Sequence, residues 1–196
     1  MAFEFRGKKF NYFCHWSNTT WKNERCVEIP IAYHFLKTHS NGNVLEFGNV
    51  LSHYYPVQHD IVDKYERAPG VMNVDVVEFH PDKKYRLIIS ISTLEHVGWD
   101  ERPRDPMKIL QAIDNLRSLL APEGIMLITV PMGYNTELDE MLRERKIPSA
   151  ETYGLKRISR SNNWKEVEWN AIANAKYGAP FPFANGVVIG IFRNEL

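Results

Sequence analysis

Residues 85–131, YRLIISISTLEHVGWDERPRDPMKILQAIDNLRSLLAPEGIMLITVP, decide the fold. Leu87-Ile88-Ile89-Ser90 and Ile125-Met126-Leu127-Ile128-Thr129-Val130 are short apolar runs, rich in β-branched residues and without alternation. Such runs predict strands buried on both faces, as in a parallel sheet covered by helices. Between them Asp105 can cap a helix and Pro106 can occupy its first turn, and Ile109, Ile113, Leu116 and Leu120 recur at spacings of four, three and four. Ala121-Pro122-Glu123-Gly124 then has the Pro and Gly placement of a type I turn leading into the next strand. Strand, crossover helix, strand is the parallel βαβ unit.

Similar runs recur at Val44-Leu45-Glu46-Phe47, Asp60-Ile61-Val62-Asp63, Val74-Asp75-Val76-Val77 and Val187 to Phe192, so the sheet should extend well beyond the central unit. Upstream, FRGKKFNYFCHWSNTTW is aromatic and basic. A helix is predicted from Pro30 to about Lys37, ended by the turn chemistry of Ser40-Asn41-Gly42-Asn43. Tyr134 to Trp169 reads as polar helices and loops with one weak strand near Leu155 to Ser159, and the Pro-rich YGAPFPFAN, Tyr177 to Asn185, as an ordered loop. No repeat or flexible linker divides the chain. One domain over 1–196 is expected, with 1–40 as a helical, lid-like segment and 44–196 as the core.

At 196 residues one core can bury about 70% of the unfolded surface. The 24 Lys and Arg against 24 Asp and Glu give no field that would draw in nucleic acid. No run approaches the roughly 20 apolar residues of a bilayer span, and MAFEFRGKKF has no apolar segment behind its charges, so a cytoplasmic protein without a membrane partner is expected. Cys14 and Cys26 make neither a disulfide framework nor a zinc site, and are read as reduced thiols.

Ligands of open parallel sheets bind beyond the carboxyl ends of the strands. The residues there are Glu46, Gly48 and Asn49, then Asp63, then Asp75 and Val76, then Ser90 to His96. A dinucleotide fingerprint is missing, because GxGxxG would need glycines where Val50 and His53 stand. A carboxylate at a strand end, one glycine, and a second carboxylate fifteen residues beyond that glycine instead suit a nucleoside without phosphates.

These residues resemble the class I S-adenosylmethionine-dependent methyltransferases over roughly Val44 to Val130, through VLEFG at 44–48, the acid after strand two, NVDVVEF at 73–79, YRLIISISTLEHV at 85–97 and LLAPEGIMLITVP at 119–131. The resemblance implies an α/β, three-layer Rossmann-like sandwich with a mostly parallel sheet of about seven strands and helices on both faces. Its cofactor would be S-adenosyl-L-methionine. Glu46 and Gly48, with Asn49 beside them, would frame the methionine end, and Asp63 would take the ribose. Asp75 and Val76 would lie against adenine, and Ser90 beneath the sulfonium. The family's second and third loop glycines are replaced by Val50 and Ser52, which sets a catalytically silent binding or scaffold protein against an enzyme.

An oxygen acceptor needs a base, and His96 or Glu95 at the mouth of the fourth strand is best placed. The same pair could instead be two metal ligands or a cap and a packed polar residue. With no third ligand at fixed spacing, no metal is expected. Tyr134 could orient or deprotonate a hydroxyl, and Tyr12, His15, Trp16 and Trp21 could close over the site. Arg143, Arg145, Lys146, Lys156, Arg157 and Arg160 read as a solvated face or, if turned to the pocket, as a cradle for a phosphorylated acceptor. The expected activity is methylation of a small molecule, at oxygen of a sugar or sugar-phosphate-like acceptor.

Overall fold

The computed structural model describes residues 1–39, 41–147 and 149–194; Ser40, from the turn after the first helix, lies outside them. In chain order the elements are β1 (Ala2–Phe5), β2 (Lys8–Asn11), α1 (Arg25–His39), β3 (Val44–Phe47), β4 (Asp60–Val62), β5 (Val71–Met72), β6 (Tyr85–Ile91), α2 (Lys108–Ser118), β7 (Leu120–Pro131), α3 (Thr136–Arg143), β8 (Glu151–Arg157), β9 (Trp164–Val167) and β10 (Gly186–Arg193). Eight strands form one sheet in the order β5-β4-β3-β6-β7-β10-β8-β9. The ladders from β5 through β7 are parallel, and β10 and β9 run against their neighbours. The chain leaves β3 for one edge and returns as β6 on its other side, so the strand order reverses between β3 and β6.

Both faces of the sheet are covered, which explains why its strands do not alternate. Ile88, Met126, Ile128 and Val188 pack with Ile109, Ile113 and Leu116 of α2, while Leu87, Ile89, Leu127 and Ile189 pack with Val27, Ile31 and Phe35 of α1 and with Phe3, Phe5 and Phe10. The βαβ unit over 85–131 stands, but its joints differ from expectation. α2 opens at Lys108 with Met107 at its N-cap, so Asp105, whose Oδ1 accepts from the Met107 N–H, and Pro106 precede the helix. Leu120 opens β7 instead of ending α2, and Ala121 to Gly124 bulge within β7 between the pairs Tyr85↔Leu120 and Leu87↔Ile125.

Four expectations need correction. The first forty residues are not helical throughout: ahead of the helix β1 and β2 form a hairpin whose turn, Arg6-Gly7, has φ of 52° and 69°, the geometry that two-residue hairpin turns require. The helix begins at Arg25, five residues before Pro30, and the proline lies inside it. Pro30 cannot donate to the Cys26 carbonyl four residues back, and the N–H of Phe13 takes that carbonyl at 2.9 Å, tying the amino-terminal segment to α1. Val74 to Val77 is no strand, because the Asp75 side chain accepts from the Val77 N–H and starts a 3-10 turn, Val76–Glu78. The 134–169 segment supplies the polar helix α3 as expected, but the weak strand near Leu155 to Ser159 is the end of a longer one, β8 (Glu151–Arg157), and a second strand, the edge strand β9, was not expected.

Asp139, in the first turn of α3, accepts from the Gly133 N–H at 2.9 Å and closes the loop that follows β7. Burial pushes its carboxyl up to about 6 from an ordinary 3.8, against the pull of Gly133 and Arg143. The folded protein therefore holds a proton there that the unfolded chain has released between those values, and stability falls as pH rises through that window. Asp139→Asn should remove this slope, gaining about 2–3 kcal/mol relative to wild type at pH 8 compared with pH 3. Urea denaturation at the two pH values checks it, and parallel pH dependences in the two proteins would refute it.

Candidate active site

A cleft of about 540 Å³ opens over the carboxyl ends of β3, β4 and β6, at the reversal of strand order. Its wall is built first by the loop after β3. Glu46 is fully buried and does not face the cleft; its Oε1 accepts from the N–H groups of Val50 and Leu51 at 2.8 and 2.7 Å, and its Oε2 meets His59 Nε2 at 2.7 Å. The carboxylate thus holds the loop that carries Val50 and Ser52 in place of glycines. Gly48 supplies the bend, at φ 87°, where a Cβ would lie 2.1 Å from Thr93 Oγ1. Asn49 lines the cleft, donates from its side chain to Glu66 Oε1 at 2.7 Å and accepts from the Ser52 hydroxyl.

Asp63 follows β4 and lines the cleft. Its Oδ1 accepts from the Tyr65 and Glu66 N–H groups at 2.9 and 2.8 Å, and its Oδ2 from the Asn49 N–H at 3.2 Å, so the carboxylate is fixed with lone pairs to spare. Val76 gives an apolar wall with Phe47, Val50 and Val97. Asp75 lies beside it but is engaged, since Lys64 and Lys108 both bridge it to Glu101 at 2.6–3.3 Å. Burial works against the Asp75 charge, but the two ammonium groups prevail and keep the carboxyl below its ordinary range. Ser90 is fully buried within the sheet beside Phe47, and its hydroxyl has no hydrogen-bond partner among the described residues.

The 3-10 turn Leu94–His96 after β6 carries the candidate base. His96 lines the cleft and meets Asp100 Oδ2 through Nδ1 at 2.5 Å; the same Oδ2 accepts from the Tyr134 hydroxyl at 2.9 Å. A proton held on Nδ1 by the carboxylate leaves the Nε2 lone pair free, which is the arrangement of an oriented base. Burial, then its bond to Asp100, push the Tyr134 phenol up to about 12, which favours its protonated, orienting form. Glu95 turns inward, with Oε1 3.7 Å from His96 Nε2 and Oε2 unpartnered among the described residues. No group of three or more His, Cys, Asp or Glu side chains among the described residues is placed to hold a metal ion.

The structure thus gathers Asn49, Asp63, Asp75, Val76 and His96 on one cleft, places Tyr134 against His96 with ring centroids 4.8 Å apart, and sets Glu46, Gly48, Ser90 and Glu95 behind it. Sequence reasoning missed His59, Asp100 and Arg25. Only the four-residue spacing of His96 and Asp100 signalled one of them. Of the lid candidates, His15 packs against Tyr54, Tyr12 donates to the Trp164 carbonyl, Trp16 and Trp21 are exposed, and it is Asn18 that reaches the cleft. None of the six basic residues between Arg143 and Arg160 lines it. Arg157 is not solvated either: it is buried and donates to the carbonyls of Lys22, Pro182, Ser159 and Arg160.

No family model matches the chain, and no curated protein matches it in sequence. Solved structures do. The N-methyltransferase NodS from Bradyrhizobium japonicum WM9, in complex with S-adenosyl-l-homocysteine, aligns with a TM-score of 0.50 at 14% identity, over 85% of this chain and 86% of that one. A possible histamine N-methyltransferase from Thermotoga maritima gives 0.46 at 12% identity over 85% and 96%. A SAM-bound amino pentose methyltransferase from Micromonospora echinaspora gives 0.41 at 10% identity over 83% and 89%. Identity this low speaks to the fold alone, and the first of the three alignments carries it. The central sheet, its reversal between β3 and β6 and the alignment with NodS agree: the chain has the fold of the class I S-adenosylmethionine-dependent methyltransferases.

Proposed function

We propose that this protein is an S-adenosylmethionine-dependent methyltransferase acting on a small molecule. The observation that carries the reading is the cleft itself, at the reversal of strand order, with the fixed Asp63 carboxylate on one side and the His96–Asp100 pair on the other. Its volume of about 540 Å³ suits a nucleoside-sized ligand and a small acceptor together. The residues present fit the cofactor. Asp63 offers its remaining lone pairs to ribose hydroxyls, Val76, Val97 and Phe47 offer an apolar wall to adenine, and the buried Ser90 hydroxyl lacks a partner at the strand end below. When bound, S-adenosylmethionine supplies an electrophilic methyl group on a positively charged sulfur.

The chain's own work is then alignment and proton transfer. Alignment alone draws on roughly 7–11 kcal/mol of orientation already fixed in the protein. His96 removes the acceptor's proton at Nε2, Asp100 stabilises the imidazolium that results, and Tyr134 holds Asp100 in place. The six basic residues between Arg143 and Arg160 lie away from the cleft, which removes the argument for a phosphorylated acceptor.

Titration calorimetry with S-adenosylhomocysteine tests the reading. Saturable binding is expected, and Asp63→Ala should weaken it more than tenfold, in line with about 1.5–3 kcal/mol for hydrogen bonds to a charged group. Absence of binding to the wild-type protein would reject the enzyme and leave a silent scaffold.

A further inference from the structure

We propose that the cavity at the amino ends of β3 and β4 is a second ligand site, for a small aromatic anion, and that its occupant braces the loop beside the cleft through the His59–Glu46 pair.

The cavity exists because a crossover helix is missing. After the 3-10 turn Leu51–His53 the chain runs to β4 with no regular element. A space of about 590 Å³ is left between that segment and the carboxyl-terminal half of α1, within the range of small-molecule sites. It lies at the opposite end of β3 from the cleft, since Val44 and Asp60, the first residues of β3 and β4, line it.

Its lining is aromatic and cationic. Tyr33 of α1 and Tyr55 stand there as a stacked pair, with ring centroids 4.1 Å apart and planes 18° from parallel, a wall suited to a flat ring. The Lys37 ammonium lies 5.2 Å from the Tyr33 centroid and makes no ion pair among the described residues. Lys83, the other lining ammonium, is already met by Asp60 at 2.5 Å. One positive charge is left over, so a monoanion balances the lining and an amine adds to the excess. His59 also lines the cavity; its Nε2 is taken by Glu46, which leaves Nδ1 for a ligand.

His59 is where the two sites meet. The fully buried Glu46 binds His59 through Oε2 at 2.7 Å and holds the N–H groups of Val50 and Leu51 through Oε1, and Val50 lines the cleft. The N–H groups of Tyr54 and Tyr55 both donate to the Leu51 carbonyl, at 3.0 and 2.9 Å. The wall of the cavity and the wall of the cleft are therefore one hydrogen-bonded unit around a single carboxylate. A ligand that fixes His59 and Tyr55 removes freedom that a second ligand would otherwise have to remove itself, and the effect is reciprocal.

Phenylacetate and indole-3-acetate, each with its neutral amide, are the probes, titrated into the isotope-labelled full chain and followed by amide NMR. At least one acid is expected to shift residues 55–60 saturably, and to bind about tenfold more tightly than its amide, as hydrogen bonds to a charged group allow. Lys37→Gln, an exposed change, should weaken the acid about fivefold and leave the amide unaffected. No saturable shift with either acid, shifts confined to cleft residues such as Asp63 and His96, or amides binding as well as acids would overturn the site. For the coupling, Val50 and Leu51 should shift with residues 55–60, and a saturating acid should tighten S-adenosylhomocysteine about fivefold. His59→Gln should abolish both effects; if that variant does not fold, the two wild-type readouts decide. Unmoved Val50 and Leu51, or an unchanged affinity, would overturn the coupling. Acids bound at this cavity in a protein that binds no S-adenosylhomocysteine would support the site and strike the methyl-transfer reading instead.

Discussion

Glu28→Ala is expected to cost about 3–5 kcal/mol of folding stability, the range seen when one partner of a buried charge pair is removed. Glu28 is fully buried on α1. Its Oε1 accepts from the hydroxyls of Ser92 and Thr129 at 2.6 and 2.7 Å, and its Oε2 meets Arg25 Nη1 at 3.1 Å. One carboxylate thus joins the first helix to the ends of β6 and β7, across the floor of the candidate site. Truncation strands the Arg25 guanidinium and leaves two buried hydroxyls without their acceptor. Glu28→Gln keeps an acceptor and should lose less. Arg25→Met with Glu28→Leu removes both charges and should recover most of the stability, because burying two ions gains little over burying apolar side chains of similar size. Guanidinium chloride titrations of the four proteins check the series. A loss below about 1 kcal/mol in Glu28→Ala would show that water reaches Arg25 in the folded protein.

Gly48→Ala should be nearly as damaging, and in a way that reaches the ligand. The position combines φ of 87° with a Cβ contact of 2.1 Å to Thr93 Oγ1, 2.7 Å to its Cγ2 and 2.8 Å to its Cβ. Left-handed backbone costs a non-glycine residue about 1–2 kcal/mol, and overpacking about 1–3 more. Thr93 is β-branched and its hydroxyl donates to the Ile91 carbonyl at 3.1 Å, so it cannot swing clear without losing that bond. The two loops must separate, and Asn49, next to Gly48 and bonded to Asp63, moves with them. The expected result is a loss of about 2–4 kcal/mol in stability together with a tenfold or greater loss of S-adenosylhomocysteine affinity. Adding Thr93→Ala should return part of the stability by removing two of the three contacts. Wild-type affinity in the single variant would detach this bend from the ligand.

How much of this was readable beforehand depended on the range over which each interaction acts. The unit over 85–131 declared itself because the helical spacing of Ile109, Ile113 and Leu116 is flanked by runs too short for helices. Val74 to Val77 misled because three valines around one aspartate fit a strand as well as a capped turn, and only the bond from the Val77 N–H to Asp75 decides between them. β9 was hidden because an edge strand, WKEV, needs little apolar surface. In the site, Asp63 and His96 were legible from their position after strands. His59 was not, since its bond to Glu46 joins residues thirteen apart that meet only once β3 and β4 are paired.

The sheet is unevenly supported, and that has a consequence for how a ligand would be felt. Among the described residues no α-helix lies in the chain between β3 and β6, and β5 at the edge of the sheet and β4 next to it have two and three residues. This thin margin carries Asp63 and Asp75, whereas the other half of the sheet is held by long ladders and by α2. Backbone amides at the margin should therefore open by local fluctuations that cost far less than unfolding the whole domain. A nucleoside bridging Asp63 and the tip of β6 would act as the bracing that the fold leaves out, so occupancy should register first as slower hydrogen exchange in residues 60–76 and only weakly elsewhere.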